Sequence, residues 1–180
     1  MNANRVQTMY FNSGDPDTFD ESTLYAPGHL GGIIEVKDKS YQIVRLDSGA
    51  TASTSSGIVA ANDLAFWKDK NTYLVTNDAA QAIGQPTANA YRNQAAGVFR
   101  NAVTAGNYCA VVQRGDAIPV NATGGGIGQA AIANSGSDAD VAFEAVGTMA
   151  TYVTLGIARE TTAATTAGMC NVDLNIPSIP

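Results

Sequence analysis

The sequence predicts a mainly β protein, built as small β-sandwich or barrel modules with an extended N-terminal arm and one short helix. Three observations support this class. Short segments with alternating apolar and polar residues recur along the 180 residues. Glycine-containing turn signals separate those segments, and only one stretch has a composition that favours helix. A chain of this length forms one compact domain or two small ones.

Residues 1–27 show no sustained hydrophobic period and are expected to form the extended arm. Four of the sixteen acidic residues lie between positions 15 and 21, so the arm is locally acidic. Aromatic side chains at Tyr10, Phe11 and Phe19 interrupt this polar stretch. Such side chains either pack back on their own domain or anchor the arm on a neighbouring protein. The sequence leaves both alternatives open.

Residues 28–85 are predicted to form an N-terminal β module. Alternation over 30–46 predicts two strands with a turn at Lys39-Ser40. Segments 64–67 and 72–76 predict a hairpin whose charged connection faces solvent. Trp67, the single tryptophan of the chain, is expected in the core.

Residues 86–180 are predicted to form a C-terminal β-barrel or sandwich module. Its first segment, 86–94, is the helix candidate, because proline suits the first helical turn. Residues 95–120 then predict three short strands joined by two glycine turns, at 104–107 and at Arg114-Gly115-Asp116.

Two later segments of this module also alternate. In 151–158, Val153, Leu155 and Ile157 are expected to share one face. Residues 170–176 have the cleanest strand pattern, which predicts one buried face and one that meets water or a partner. Cys109 and Cys170 fall within strand patterns and are expected to be buried free thiols, although a disulfide between paired strands stays open.

The residues needed for catalysis or cofactor binding are scarce, and no enzymatic activity is expected. His29 is the only histidine and sits in a glycine-rich loop, with no nucleophile elbow elsewhere to complete a catalytic triad. The glycines of 124–128 lack the Lys-Ser/Thr of a phosphate-binding loop. The acidic residues of 15–21 lack the spacing of a calcium loop. No cofactor and no metal are therefore expected.

Charge and hydropathy exclude two further classes of partner. The formal charge is −6, and the ten basic residues are scattered, whereas nucleic-acid binding requires a clustered basic face. The longest apolar stretch, 141–158, is broken by Glu144 and by polar residues, so no membrane span is expected. Only 14% of residues are charged, which suits broad contact with another protein but equally an ordinary β domain.

One pattern in the second module resembles a known family. Asn93-Gln94 precedes Ala96-Gly97-Val98-Phe99, the run Asn-Ala-Val-Thr-Ala-Gly-Asn-Tyr follows at 101–108, and a strand then leads into Gly115-Asp116. This pattern resembles the C-terminal module of tailed-bacteriophage capsid decoration (cement) proteins. The resemblance covers residues 80–180 and, more loosely, 27–77. It consists of small and turn residues and brings no functional side chain with it.

The resemblance implies a structural virion protein, made in the host bacterial cytoplasm, that binds the exterior of the assembled capsid. Its implied partner is the major capsid protein, and its implied state is a homotrimer at or near local three-fold axes. Within that reading, Tyr10, Phe11 and Phe19 are the predicted capsid contacts. The alternative is a receptor- or glycan-binding module of a fibre or tail. Such a module is expected to cluster aromatic residues in its loops, whereas these loops carry Ser, Thr, Gly and Asn.

Overall fold

The computed structural model describes residues 30–50, 58–83, 94–122, 124–134, 140–145, 153–160 and 168–176. These residues are mainly β, as predicted, and their one short helical element is the 3-10 turn Ala79–Gln81. The predicted arm and all but the last residue of the predicted helix lie outside the described residues. The described strands are β1 (Ile33–Val36), β2 (Lys39–Leu46), β3 (Ile58–Val59), β4 (Leu64–Asp69), β5 (Leu74–Thr76), β6 (Ala95–Phe99), β7 (Val103–Thr104), β8 (Tyr108–Ala122), β9 (Ala130–Ala133), β10 (Val141–Glu144), β11 (Gly156–Ala158) and β12 (Gly168–Asn175).

Five of these strands close into a barrel, in the order β2, β5, β4, β6, β8 and back to β2. The β2–β5 pair is parallel, and the other four pairs are antiparallel. Strand β1 forms a hairpin with the first half of β2, while β3 and β7 form a separate two-stranded sheet. Closing the sheet leaves each of the five barrel strands with a neighbour on both edges.

The barrel interior is filled by one cluster of buried side chains to which all five strands contribute. Its largest members are Trp67 and Phe99, and the confinement of Trp67 to the core confirms the prediction. Two glutamines also point inward: the Gln113 amide donates to Gln42 Oε1 at 2.6 Å and to the Ala96 carbonyl at 3.1 Å. Both glutamine side chains are buried, so this pair satisfies polar atoms that water does not reach.

The second half of β8 begins a further ring of strands, β8–β12–β11–β9–β10, which returns to β8 through a single bridge between Val141 and Ala122. All five strands of this ring contribute to a second buried cluster, which includes Val120 and Val172. The same cluster takes in outward-facing residues of the barrel such as Phe66. This second cluster therefore joins the outer face of the barrel to the ring, while the barrel interior has a cluster of its own.

Strand β8 passes from barrel to ring without a turn, which corrects the prediction of a glycine turn at Arg114-Gly115-Asp116. Its register slips by one residue against β2 beside Ser40, and again against β12 between Val172 and Leu174. Ala117, in the second irregularity, has a φ of 50°. Such bulges bend a strand while the pairing on either side continues. Hydrogen-bonded neighbours on both edges of β8 thus replace the turn with a bent, continuous strand.

One of the predicted turns is confirmed and two are displaced. Asn107 N–H donates to the Thr104 carbonyl at 3.1 Å, closing the predicted turn before β8. The β4–β5 hairpin forms as predicted, but its connection is 70–73 rather than 68–71, because β4 continues to Asp69. The β1–β2 connection, however, is Lys37-Asp38 rather than Lys39-Ser40, because Val36 pairs directly with Lys39. Lys37 takes a φ of 56°, which a two-residue hairpin loop requires.

The prediction for β12 is confirmed, whereas the prediction that Val153, Leu155 and Ile157 share one face is wrong. Leu155 is buried, but Val153 and Ile157 are 36% and 39% exposed. The alternation breaks at Gly156. This residue pairs with Leu174 and Ala131, which both face inward, although it directly follows Leu155, which also faces inward. A Cβ at Gly156 would overlap the Asp173 carbonyl, so glycine allows this break. On β8 and β12, Cys109 and Cys170 are buried free thiols, as predicted.

Candidate interaction surface

The predicted contact residues Tyr10, Phe11 and Phe19 lie outside the described residues, as does His29. Their role stays a prediction. The described chain begins beside the barrel: Gly31 N–H donates to the Ile43 carbonyl at 2.9 Å. The Tyr73 ring covers Gly31 so closely that a Cβ there would overlap it. The segment that follows the predicted arm is therefore fixed to the barrel wall.

Exposed apolar side chains are concentrated on the ring rather than on the barrel. Five large hydrophobic residues of the described chain are exposed: Ile33, Ile127, Val153, Ile157 and Met169. Four of these five belong to the ring or its connections, and only Ile33 on β1 lies beside the barrel. The ring surface is therefore the apolar face that the described residues offer to a partner.

Ile127 is the most exposed of these side chains, at 72%, and it sits in a well-fixed turn. Gln129 N–H donates to the Gly126 carbonyl at 3.1 Å, and Gly128 has a φ of 80°, the pattern of a type II turn. Three further contacts hold the turn. The Gln129 side chain accepts from Gly126 N–H at 2.6 Å, Gly128 N–H donates to the Ala158 carbonyl at 2.9 Å, and Gly125 packs under an aromatic ring of β10.

Ile157 lies on the outer face of β11. It pairs with Asp173 of β12 on one side and with Ala130 of β9 on the other. Gly128 follows Ile127 and donates its N–H to the carbonyl of Ala158, which follows Ile157. Each isoleucine therefore directly precedes one partner of the same backbone hydrogen bond. Met169 is further along the same outward face of β12, and its sulfur accepts from the Asn62 amide at 3.1 Å. We call Ile127 and Ile157 the isoleucine patch.

An ion-pair network borders the isoleucine patch. The Arg159 guanidinium contacts Asp173 and, at 3.5 Å, Asp116. The hydrogen bond from Arg159 holds the pKa of Asp173 below its usual value, and the same bond raises the pKa of Arg159. Asp173 also accepts from Ala117 N–H at 3.1 Å, so the network fixes the bulge of β8 against β12.

The charges beside the patch are predominantly acidic. Glu144 and Ile157 both pair with Ala130, so Glu144 lies in the same row across the sheet. Glu160 accepts from Asn171 N–H at 2.7 Å beside Arg159. Among the described residues, four carboxylates, at 116, 144, 160 and 173, therefore lie on the strands beside Ile157 or next to Arg159. The Arg159 guanidinium contacts two of them, and Arg114 lies two residues before Asp116 on β8.

The sequence predictions did not find this surface. An isoleucine between glycines, in Gly-Gly-Ile-Gly, is the signal that was available, because it has no strand pattern to bury it. Among the described residues, no group of three or more His, Cys, Asp or Glu could hold a metal ion. None of the helical structure in the described part of the chain has the length and hydrophobicity of a transmembrane helix.

Comparison with known proteins adds no family to these observations. No protein-family model matches the chain, and no curated protein matches it significantly. The class that the described residues define is therefore a β protein with a closed five-stranded barrel, a shared bent strand and an exposed apolar patch.

Proposed function

We propose that this protein is a structural virion protein that binds the outer surface of an assembled phage capsid and stabilises it. Its partner is the major capsid protein, and it acts as a homotrimer on the capsid exterior. It is made in the host bacterial cytoplasm and joins the shell there. The proposal rests on the resemblance carried by residues 93–116 and on one observation from the fold.

That observation is the single body formed by barrel and ring, with its exposed isoleucines collected on the ring. The segment that carries the resemblance supplies β6, β7 and most of β8. Of these, β6 and β8 are barrel strands, and β8 carries the chain into the ring. A body of this kind loses little conformational entropy when it docks, so little of the free energy of its surface contacts is offset by ordering. Binding to the assembled state alone stabilises that state by mass action.

The N-terminal segment supplies the second element of the proposal. An arm that reaches a second capsid subunit makes its contact intramolecular, so the combined affinity exceeds that of either contact. Tyr10, Phe11 and Phe19 are its proposed anchors, because aromatic side chains are enriched among binding hot spots. The attachment of Gly31 to the barrel wall gives this arm a fixed origin on the body.

Co-sedimentation tests the proposal. Purified protein is mixed with matching capsids that lack it, and the bound fraction is measured against concentration. Decoration predicts saturable binding at a fixed ratio per capsid, and that ratio identifies the symmetry site. Removal of residues 1–20 is expected to leave a folded protein that no longer binds. If intact protein does not pellet with capsids, the proposal is wrong, and a glycan array then tests the fibre or tail alternative.

A further inference from the structure

We propose that the isoleucine patch is the surface that docks on the shell, and that its counterpart is an apolar pocket edged by Lys or Arg. This inference rests on the proposed function and names the contact within it. The surface is Ile127 in its turn and Ile157 on β11, with the acidic border at Asp116, Glu144, Glu160 and Asp173.

The turn makes Ile127 suited to inserting into a pocket. Its neighbours are held by the hydrogen bonds of Gly126, Gly128 and Gln129, so the position of Ile127 is set before binding. A side chain presented by a fixed backbone loses little conformational entropy on docking. Its 72% exposure means that a pocket can remove most of its surface from water, which is the feature of a binding hot spot.

The acidic border identifies the chemistry of the pocket rim. Among the described residues, Asp116 and Asp173 share the guanidinium of Arg159, and Glu160 adds a third carboxylate beside them, so this part of the border is net acidic. Acidic groups around an apolar contact favour a partner with basic residues at matching positions and reject an acidic one. The cations Lys39 and Arg114 lie further along, where β8 passes β2.

The same charges argue against a two-fold dimer through the patch. A two-fold contact would bring the carboxylates of one copy against those of another, which costs binding energy. A three-fold contact joins two different faces of neighbouring copies, so the oligomeric state of the patch variants tests whether the homotrimer uses this surface.

Matched isoleucine variants test the inference. The test protein carries Ile127→Ser and Ile157→Thr, and the control carries Ile33→Thr on β1. Ile33 and Ile157 are both 39% exposed strand residues, so the two threonine changes remove comparable surface, one from β1 and one from the ring. Dissociation constants for capsids come from titrated co-sedimentation, and the oligomeric state comes from sedimentation velocity. Ile127→Ser alone, at a solvent-exposed turn, keeps the test available if the double variant loses its fold.

The double variant is expected to bind capsids about tenfold or more weakly, with its oligomeric state unchanged and with Ile33→Thr binding like the unaltered protein. Raising salt from about 50 to about 500 mM is expected to weaken unaltered binding several-fold, because the acidic border meets a basic rim. Equal binding by the double variant overturns the inference and leaves the proposed function standing. The inference is also overturned if the Ile33→Thr control loses as much capsid affinity as the double variant. It is overturned as well if the patch variants dissociate the trimer, or if capsid binding does not depend on salt. If the unaltered protein does not bind, both proposals are wrong.

Discussion

Replacing Gln113 by leucine tests whether the inward-facing glutamine pair stabilises the barrel. Gln113 lies on β8 just before the strand bends, and its backbone carbonyl accepts from Ile176 N–H at 2.8 Å. Its side-chain amide donates to Gln42 Oε1 and to the Ala96 carbonyl, in a site where Gln42 and Gln113 are 4% and 3% exposed. Leucine keeps approximately the same volume but cannot donate either bond.

The magnitude follows from the two acceptors that lose their donor. A buried polar atom left without a partner costs about 1–3 kcal/mol, so Gln113→Leu is expected to lower the free energy of unfolding by about 2–4 kcal/mol. Gln42→Leu is expected to cost less, because the Gln113 amide keeps its bond to Ala96. The double leucine variant removes both partners of the shortest bond, so it is expected to be less destabilised than the sum of the single changes.

Urea denaturation of the four proteins measures these differences as a double-mutant cycle. The expected coupling between positions 42 and 113 is about 1–2 kcal/mol in favour of the pair. The fall in melting temperature for Gln113→Leu is expected to be roughly 6–12 °C. A Gln113→Leu protein within about 0.5 kcal/mol of the original, or single changes that simply add, would refute the reasoning about the buried pair.

Three further predictions concern other parts of the molecule. Gly97→Ala is expected to destabilise the barrel by about 1–3 kcal/mol in urea denaturation, because the new Cβ would lie 2.7 Å from a valine side chain of β8; an unchanged midpoint would contradict this. The pKa of Asp173 is lowered by its hydrogen bond from Arg159, so its stabilising effect is present above the usual aspartate pKa of about 3.9 and is lost as pH falls through the lower folded value. Asp173→Asn is therefore expected to be less stable than the original at neutral pH, with the difference disappearing in strong acid; a constant difference across pH would count against the pair. Cys109 and Cys170 are expected to resist a thiol reagent in the folded protein and to react fully in denaturant, since burial also raises the pKa of the Cys170 thiol; rapid labelling of the native protein would contradict their burial.

Local sequence patterns predicted the strands that keep one buried face and one outward face along their whole length. Alternation identified β12, because that strand has a buried face and an outward face along its whole length. The β4–β5 hairpin and the turn at 104–107 were likewise predictable, since each depends on residues next to one another in the chain. The mainly β class followed from the number of such segments.

The remaining features depend on pairing between distant residues, which a local pattern does not contain. A turn was predicted at Gly115 because glycine favours turns. However, β2 and β12 pair with β8 on either side of Gly115 and keep the strand continuous. Ile157 was expected to share a face with Leu155 because the two lie two residues apart, yet Gly156 shifts the alternation by one residue. That shift exposes Ile157 and so creates half of the isoleucine patch.

The exposed turn was also hidden from the sequence for a physical reason. Glycine leaves the backbone free to take many conformations, and here hydrogen bonds to Gln129 and Ala158 fix Gly126 and Gly128. A bond to Ala158 requires β11 to lie beside the turn, which is a property of the closed ring. The candidate surface therefore became visible only once the ring was known.

Cryo-electron microscopy of capsids with and without the protein shows whether and where it binds the shell. Capsids that lack the protein are saturated with it, and a difference map is computed between the two shells. The account predicts added density on the exterior at a repeated symmetry site, sized for the barrel and ring, with the isoleucine patch towards the shell. A difference map without exterior density, or with density only at the tail, would contradict the account.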